Sequence, residues 1–289
     1  MQHILLQTTI EGDSDDWHIG RFGHLKAFLE DIRDENGEQA FRVTARNRDP
    51  VGQADSVLSR LHEFDYQQLW LFAVDVGDGL TSEDCAGISR FRREGGRLLV
   101  TRDHMDLGSS ICNLAGIGAA HHFHSRNQDP DASRQHIDDN ITTDISWPNY
   151  HSGANGDYQR VEVVGDIHPV LRDPESATGV IEFLPSHPHE GAVGAPPDDP
   201  TSRVILKGCS RCSGRDFNIA VAFEESGDGG RAIAESTFHH FADYNWDTAA
   251  GCPSFVSEAP GDGLLQFPEA LRSTKRYVQN VAFWLAGRA

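Results

Sequence analysis

Basic residues are scarce in this sequence, cysteines are few, and no long apolar run is present; each shortage removes a class of function. Lysine and arginine number 25 against 44 acidic residues, for a formal net charge of -19. Such a surface repels phosphate backbones and anionic lipid, so neither nucleic acid nor membrane is an expected partner. The acids are scattered through the chain, which reads as a soluble surface, with salt adaptation as the lesser alternative. No apolar stretch approaches the roughly 18 residues of a membrane helix. The opening "MQHILLQTTIEGD" has neither the basic region nor the apolar length of a signal peptide. The expectation is a soluble, unexported, cytoplasmic protein. Cys85, Cys112, Cys209, Cys212 and Cys252 are an odd set without framework spacing, which excludes a disulfide scaffold and suits a reducing compartment. Cys209 and Cys212 form a lone C-x-x-C, and without a second pair they read as a chance surface pair rather than a structural zinc site. There is no internal repeat and no linker, so residues 1–289 are read as a single domain with ample chain for a core.

What is present is a regular alternation of strands and helices. "HILLQTTI" at 3–10 reads as a buried strand, followed by a helix with Phe22, Leu25, Leu29 and Ile32 on one face. Asp13, Ser14 or Asp15 is expected to cap that helix. A strand is expected over 41–47, a short helix over 56–64 and a third strand over 68–75. Thr81 and Asp84 suit a capping box for a helix through Ile88 and Phe91, which the double glycine Gly95–Gly96 stops before a strand at 97–102. Beyond about residue 125 the periodicity dissolves into a long loop region to 158. Strands resume at "QRVEVV", "VIEFLP", "RVILKG", "FNIAVAFEE" and "RAIAESTF", the last two joined by the hairpin signal "SGDGG". A closing helix carries Leu271, Thr274, Val278, Val281 and Leu285 on one face. The pattern predicts an α/β fold: a mostly parallel central sheet with helices on both faces and additional C-terminal strands.

Ligands in such sheets bind beyond the carboxyl ends of strands, and here those ends are loaded with polar residues. The first strand runs into Asp16 and His18, the third into Asp75, and the fourth into Arg102, Asp103 and His104. Three histidine-rich segments follow: "AAHHFHSR" with His121 and His122, "PSHPHEGA" with His187, His189 and Glu190, and "STFHHFADYNWD" with His239 and His240. Each cluster has a structural explanation of its own, and of two adjacent histidines on a strand only one ring reaches a given face. Together, neutral imidazoles and carboxylates suit proton transfer or metal coordination. Asp103 and His104 are the expected catalytic pair, with Asp103 orienting His104 or acting as base, and Arg102 either holding an anionic group or pairing with carboxylates. Asp16, His18, Asp75, Arg102, His122, His187, His189, Glu190, His239 and His240 are the expected ligand-binding residues. The cofactor is left open, a divalent metal being one possibility, and so are the metal ligands.

The succession "FDYQQLWLFAVD", "FRREGGRLLVTRDH", "DIHPVL" and "VAFEESGDGGRAIAESTFHHF" resembles the class I glutamine amidotransferase-like superfamily, in particular its trehalose-utilisation, or ThuA-like, branch. The resemblance spans most of the chain, with 125–158 lacking a counterpart. It implies a flavodoxin-like three-layer sandwich. True amidotransferases carry G-x-C-x-G at the turn after the fourth strand, whereas this chain has "TRDHMDLG", with neither Ser nor Cys at its tip. Cys112 is read as a packing residue about two turns into a following helix, so glutaminase chemistry by a thiolate is not expected. The branch lacks that triad too, and its name implies a sugar or related polar small molecule as ligand. The expected function is therefore an enzyme without a Cys nucleophile, hydrolase-like or isomerase-like, acting on a polar, possibly carbohydrate-related molecule by acid/base or metal-assisted chemistry. The alternative is a catalytically silent small-molecule-binding or assembly protein of the same fold. A homo-oligomer is compatible with either.

Overall fold

The computed structural model describes residues 1–138, 141–227 and 229–288. Eight strands form its main sheet: β1 (Gln2–Thr8), β2 (Phe41–Arg46), β3 (Gln68–Phe72), β4 (Arg97–Thr101), β5 (Glu162–Val163), β6 (Ser202–Cys209), β7 (Asp216–Phe223) and β8 (Ala232–Glu235). Their order across the sheet is β2-β1-β3-β4-β8-β7-β6-β5. The first five are mutually parallel and the last three run antiparallel to their neighbours. The result is a mixed α/β fold on a large, mostly parallel sheet.

The central strands β3, β4 and β8 carry mostly apolar residues because both faces are covered. Ile4, Leu6, Trp70, Phe72, Leu99 and Ile233 point to one face. There they meet α1 (Gly23–Asp31) and the closing helix through Leu25, Leu29, Val278 and Val281. The alternate residues Leu5, Leu69, Leu71, Leu98, Val100 and Ala234 point the other way, against Ile88 and Phe91 of α2 (Ser82–Arg93) and Leu58 and Leu61. α2 has the expected capping box, in which Thr81 and Asp84 bond each other's backbone N–H. It stops at Gly95, whose φ of +94° suits glycine alone. A four-residue helix, α3 (Asp243–Trp246), and the long α4 (Pro268–Leu285) complete the set used below.

Three local expectations are corrected. The cap of the first helix is not at 13–15: the chain enters through a 3-10 turn, Ile19–Phe22, capped by His18, and Asp15 bonds Ser254 instead. The N–H groups of Gly23 and His24 at the start of α1 are satisfied from a distance, each 2.8 Å from a carboxylate oxygen of Asp243. The stretch 56–64 is a 3-10 segment, Leu58–Glu63. The turn after β4 leads only to a short 3-10 turn, Ser109–Asn113, so Cys112 has no long helix to pack in and is half-buried. The hairpin between β7 and β8 is antiparallel as expected, Asp228 at its tip lying outside the described residues.

Candidate functional site

Parallel strands β1, β3, β4 and β8 all deliver loops to the same end of the sheet. β1 lies between β2 and β3, so the chain leaves it in opposite directions on either side, which is where α/β sheets open a crevice. A cavity of about 370 Å3 occupies this end. Asp16 and Trp17 come from the loop after β1, Val74 and Val76 from that after β3, Asp103, His104 and Leu107 from that after β4, and Phe238 and His239 from that after β8. Loops outside the sheet close it with Ile145, Asn155, His187, His189, Phe255, Val256 and Glu258.

The β4 turn is held rigidly. Met105 has φ +47°, a left-handed conformation unusual for a residue with a side chain. Its N–H donates to Pro148 O at 2.9 Å and its carbonyl accepts from Arg102 Nη2 at 2.6 Å. Gly191 presses on the turn from behind, where an added Cβ would lie 2.6 Å from Asp103 O. This clamp aims Asp103 and His104 at the cavity.

Asp103 is the hub. Its Oδ2 lies 3.2 Å from His104 Nδ1 and 3.9 Å from His239 Nε2, and its Oδ1 lies 3.5 Å from His187 Nε2 and 3.3 Å from the Thr237 hydroxyl that donates to it. The His187 and His239 rings stack 3.5 Å apart, and Trp17 meets His239 edge-on. A layer of amides stands behind the rings: His187 Nδ1 meets Asn155 Oδ1 at 3.0 Å, His239 Nδ1 meets Asn245 Oδ1 at 2.9 Å, and His189 Nδ1 meets Asn149 Oδ1 at 3.0 Å. On the outer wall His189 Nε2 and Glu258 Oε1 are 2.9 Å apart.

Burial shapes the charges. It works against ionisation of Asp103, but the electrostatic influence of the adjacent His104 and His187 prevails and holds the carboxyl well below the usual range. Burial pushes His187 down to about 4 and His239 well below the ordinary histidine value, so both are neutral near pH 7. Burial also works against ionisation of Glu258, yet the bond from His189 keeps it below its ordinary value. Asp103 is thus held as an anion beside His104. Asp103, His104 and His187 are, among the described residues, the one group of three whose donor atoms all lie within metal-sharing distance, 4.8 Å.

Of the residues anticipated from sequence, Asp16, Asp103, His104, His187, His189 and His239 line this cavity. Six others are elsewhere. The Arg102 guanidinium is fully buried, donates to the carbonyls of His122 and Met105 and lies 4.0 Å over Phe123, so it clamps the turn and cannot hold an anion in the cavity. His122 sits in a two-residue strand paired with Ala192–Val193 and faces a different cavity, beside Asn127. Asp75 accepts from Gly77 N and the Ser110 hydroxyl. His18 caps its 3-10 turn. His240 points opposite to His239, where it is clasped by Glu235 at 3.1 Å and Glu190 at 3.5 Å. Glu190 is taken up there by Ser152, Gln159 and Ser236. Glu258, Trp17, Phe255 and the three asparagines were not anticipated; Asn149 and Asn155 fall in the segment whose sequence has no period. The Cys209–Cys212 pair is remote from the cavity lining, with Cys209 exposed.

No family model matches the chain, and no curated protein matches it in sequence. Among solved structures, it is similar to a cytoplasmic protein of Salmonella typhimurium LT2, at 10% identity over 97% of this chain and 99% of that one, with a TM-score of 0.50. It is also similar to a protein described as ThuA-like from Bacteroides uniformis ATCC 8492, at 11% identity over 98% and 91% of the two chains (TM-score 0.47). A second protein so described, from Parabacteroides merdae ATCC 43184, matches at 14% identity over 90% and 95% (TM-score 0.43). At these identities the likeness is one of fold alone. Among the described residues no helix is long and apolar enough to cross a membrane.

Proposed function

We propose that the chain is an enzyme of flavodoxin-like, ThuA-like architecture that acts on a small carbohydrate-type molecule in the Asp103 cavity, without a cysteine nucleophile. The observation that carries this reading is the convergence of Asp103, His104, His187, His189, His239 and Glu258 on one cavity whose other wall is apolar. The fold supports it, because the order 2-1-3-4 followed by β8 reproduces the doubly wound arrangement with its ligand crevice at β1/β3. Trp17, Val74, Leu107 and Phe238 make a surface for the C–H face of a sugar ring, and the imidazoles and carboxylates meet its hydroxyls and reacting bond. A volume of about 370 Å3 lies at the small end of ligand sites.

In this reading Asp103 stays ionised and orients His104, the least buried of the three groups around it at 18% side-chain exposure. The His189–Glu258 pair transfers protons, and His104 faces the reacting bond. At 2.9 Å that pair holds one proton between nitrogen and oxygen, available to a leaving group and recoverable from water. Suppressed thiol chemistry agrees: burial pushes the Cys85 thiol up to about 12 and raises that of Cys112. The odd, unframed set of free cysteines supports a cytoplasmic location.

The test is a panel of mono- and disaccharides with their lactone, ester and N-acetyl derivatives, followed by proton NMR for turnover and by Trp17 fluorescence for binding. Turnover of a panel member, reduced roughly 100-fold or more in His104→Ala and in Glu258→Gln, supports the reading. Binding without turnover gives the silent binding protein instead. No binding in any case, or turnover indifferent to both substitutions, overturns it.

A further inference from the structure

The amides behind the two innermost rings form a chain whose polarity is fixed at one end. The Ser186 carbonyl can only accept a hydrogen bond, so the Asn245 atom 3.1 Å from it is the side-chain nitrogen. The Asn245 oxygen therefore faces His239 Nδ1, and that ring nitrogen carries a proton. The same Asn245 nitrogen donates to Asn155 Oδ1 at 2.8 Å, so this oxygen is an acceptor and His187 Nδ1, 3.0 Å away, is protonated too. A neutral imidazole protonated at Nδ1 has a bare lone pair at Nε2. Both bare nitrogens face the Asp103 carboxylate, at 3.5 Å and 3.9 Å.

Acceptors thus face acceptors, and the protein supplies nothing between them. His187 is 4% exposed, and its Nε2 has no hydrogen-bond partner. His104 Nδ1, 3.2 Å from the same carboxylate, likewise makes no well-formed hydrogen bond. Burying such a set costs free energy unless a positive centre completes it.

Resting on the reading of this cavity as the functional site, the geometry points to a divalent metal centre of the zinc class, held by Asp103, His104 Nδ1 and His187 Nε2 with its remaining position open to the cavity. Donor atoms on a tetrahedral ion with bonds of about 2.0–2.1 Å lie roughly 3.3 Å apart. His104 Nδ1 lies 3.2 Å from one Asp103 carboxylate oxygen and His187 Nε2 lies 3.5 Å from the other, and one donor atom from each of the three residues lies within 4.8 Å of the rest. Two imidazoles with one carboxylate suit zinc or a neighbouring transition metal, whereas magnesium and calcium prefer oxygen alone. Three protein ligands and an open position are the make-up of a catalytic rather than a structural ion. Asn155 holds the His187 ring through Nδ1–H, as the outer partner of a metal-bound histidine does, and Asn245 orients Asn155 by donating to its oxygen. His239 stacks on His187 and keeps that ring in place.

The full chain, freed of metal with EDTA, is titrated at neutral pH with Zn2+ by calorimetry and with Co2+ by visible absorption, near-UV circular dichroism reporting the fold. One equivalent is expected to bind, with the strong d–d absorption of low-coordinate cobalt. His187→Ala and Asp103→Asn abolish binding, Asn155→Ala weakens it roughly 10- to 100-fold while touching no ligand atom, and His122→Ala leaves it unchanged. A folded wild type that binds no ion overturns the proposal. Equal affinity in wild type, His187→Ala and Asn155→Ala means an adventitious ion only, and overturns it as well. Sugar turnover that survives complete metal removal overturns the catalytic assignment of the ion and leaves the enzymatic reading standing. Metal binding as described with no sugar bound or turned over supports the centre and refutes that reading.

Discussion

Removing the charge of His240 should cost the protein a large part of its stability, and raising the pH should remove it. Burial disfavours the imidazolium, but Glu190 and Glu235 on either side lift its pKa to about 10, against 6.5 for an ordinary histidine. Because the folded value lies above the unfolded one, the folded state holds the proton more tightly. The stabilisation is complete below pH 6.5 and is lost as the pH rises through about 10. At about 1.4 kcal/mol for each pH step, the gap amounts to roughly 5 kcal/mol, a third or more of the stability of a typical domain. Urea unfolding of wild type and His240→Gln at pH 7, 8, 9 and 10 measures it, the comparison cancelling groups that titrate in both. The difference between the proteins should shrink by about 3 kcal/mol over that range. A difference that stays constant from pH 7 to 10 refutes the buried imidazolium.

Acid should act through His187 with the opposite sign. Its folded pKa, pushed down to about 4 by burial, lies below the unfolded 6.5, so the unfolded chain takes the proton first and stability falls as the pH drops from 6.5 through 4; a urea midpoint flat over that range contradicts this. Glutamine hydrolysis should be absent before and after thiol alkylation, and activity abolished by alkylating Cys112 would show a nucleophile where the burial-raised thiol argues against one. Residues 1–289 should unfold in one transition, and truncation after Phe267 should give insoluble protein, because Val278, Val281, Trp284 and Leu285 of α4 cover the same sheet face as Ile4 and Leu6. A soluble, folded truncation would make α4 an appendage.

The central strands were legible because burial on both faces makes their middles continuously apolar, so "LLV" at 98–100 and "LWLF" at 69–72 stand out against their polar flanks. Asp103 and His104 were legible from the chain ending a buried strand on charged residues. His187, His189 and His239 were legible from sheer density of histidine. Their neighbours were harder, because adjacent side chains diverge. His239 enters the cavity while His240 turns to Glu190 and Glu235, and nothing in "FHHF" says which does which. Arg102 reads in sequence as an anion holder or a partner of carboxylates and is instead spent on backbone carbonyls, a role that depends on loops packed from residues 122 and 105. Glu258 and Phe255 belong to an irregular loop far along the chain. The asparagines that fix the histidine rings look in sequence like any turn residues.

That His187 and His239 present bare Nε2 lone pairs to an ionised Asp103 can be read from nitrogen NMR of histidine-labelled, metal-free protein at neutral pH. Long-range proton–nitrogen correlations separate the two neutral tautomers from the charged ring. Both residues are expected as Nδ1–H, Nε2-bare rings, His187 converting to the signature of the charged ring only well below neutral pH. Either ring found protonated at Nε2 under these conditions contradicts the electron-rich centre.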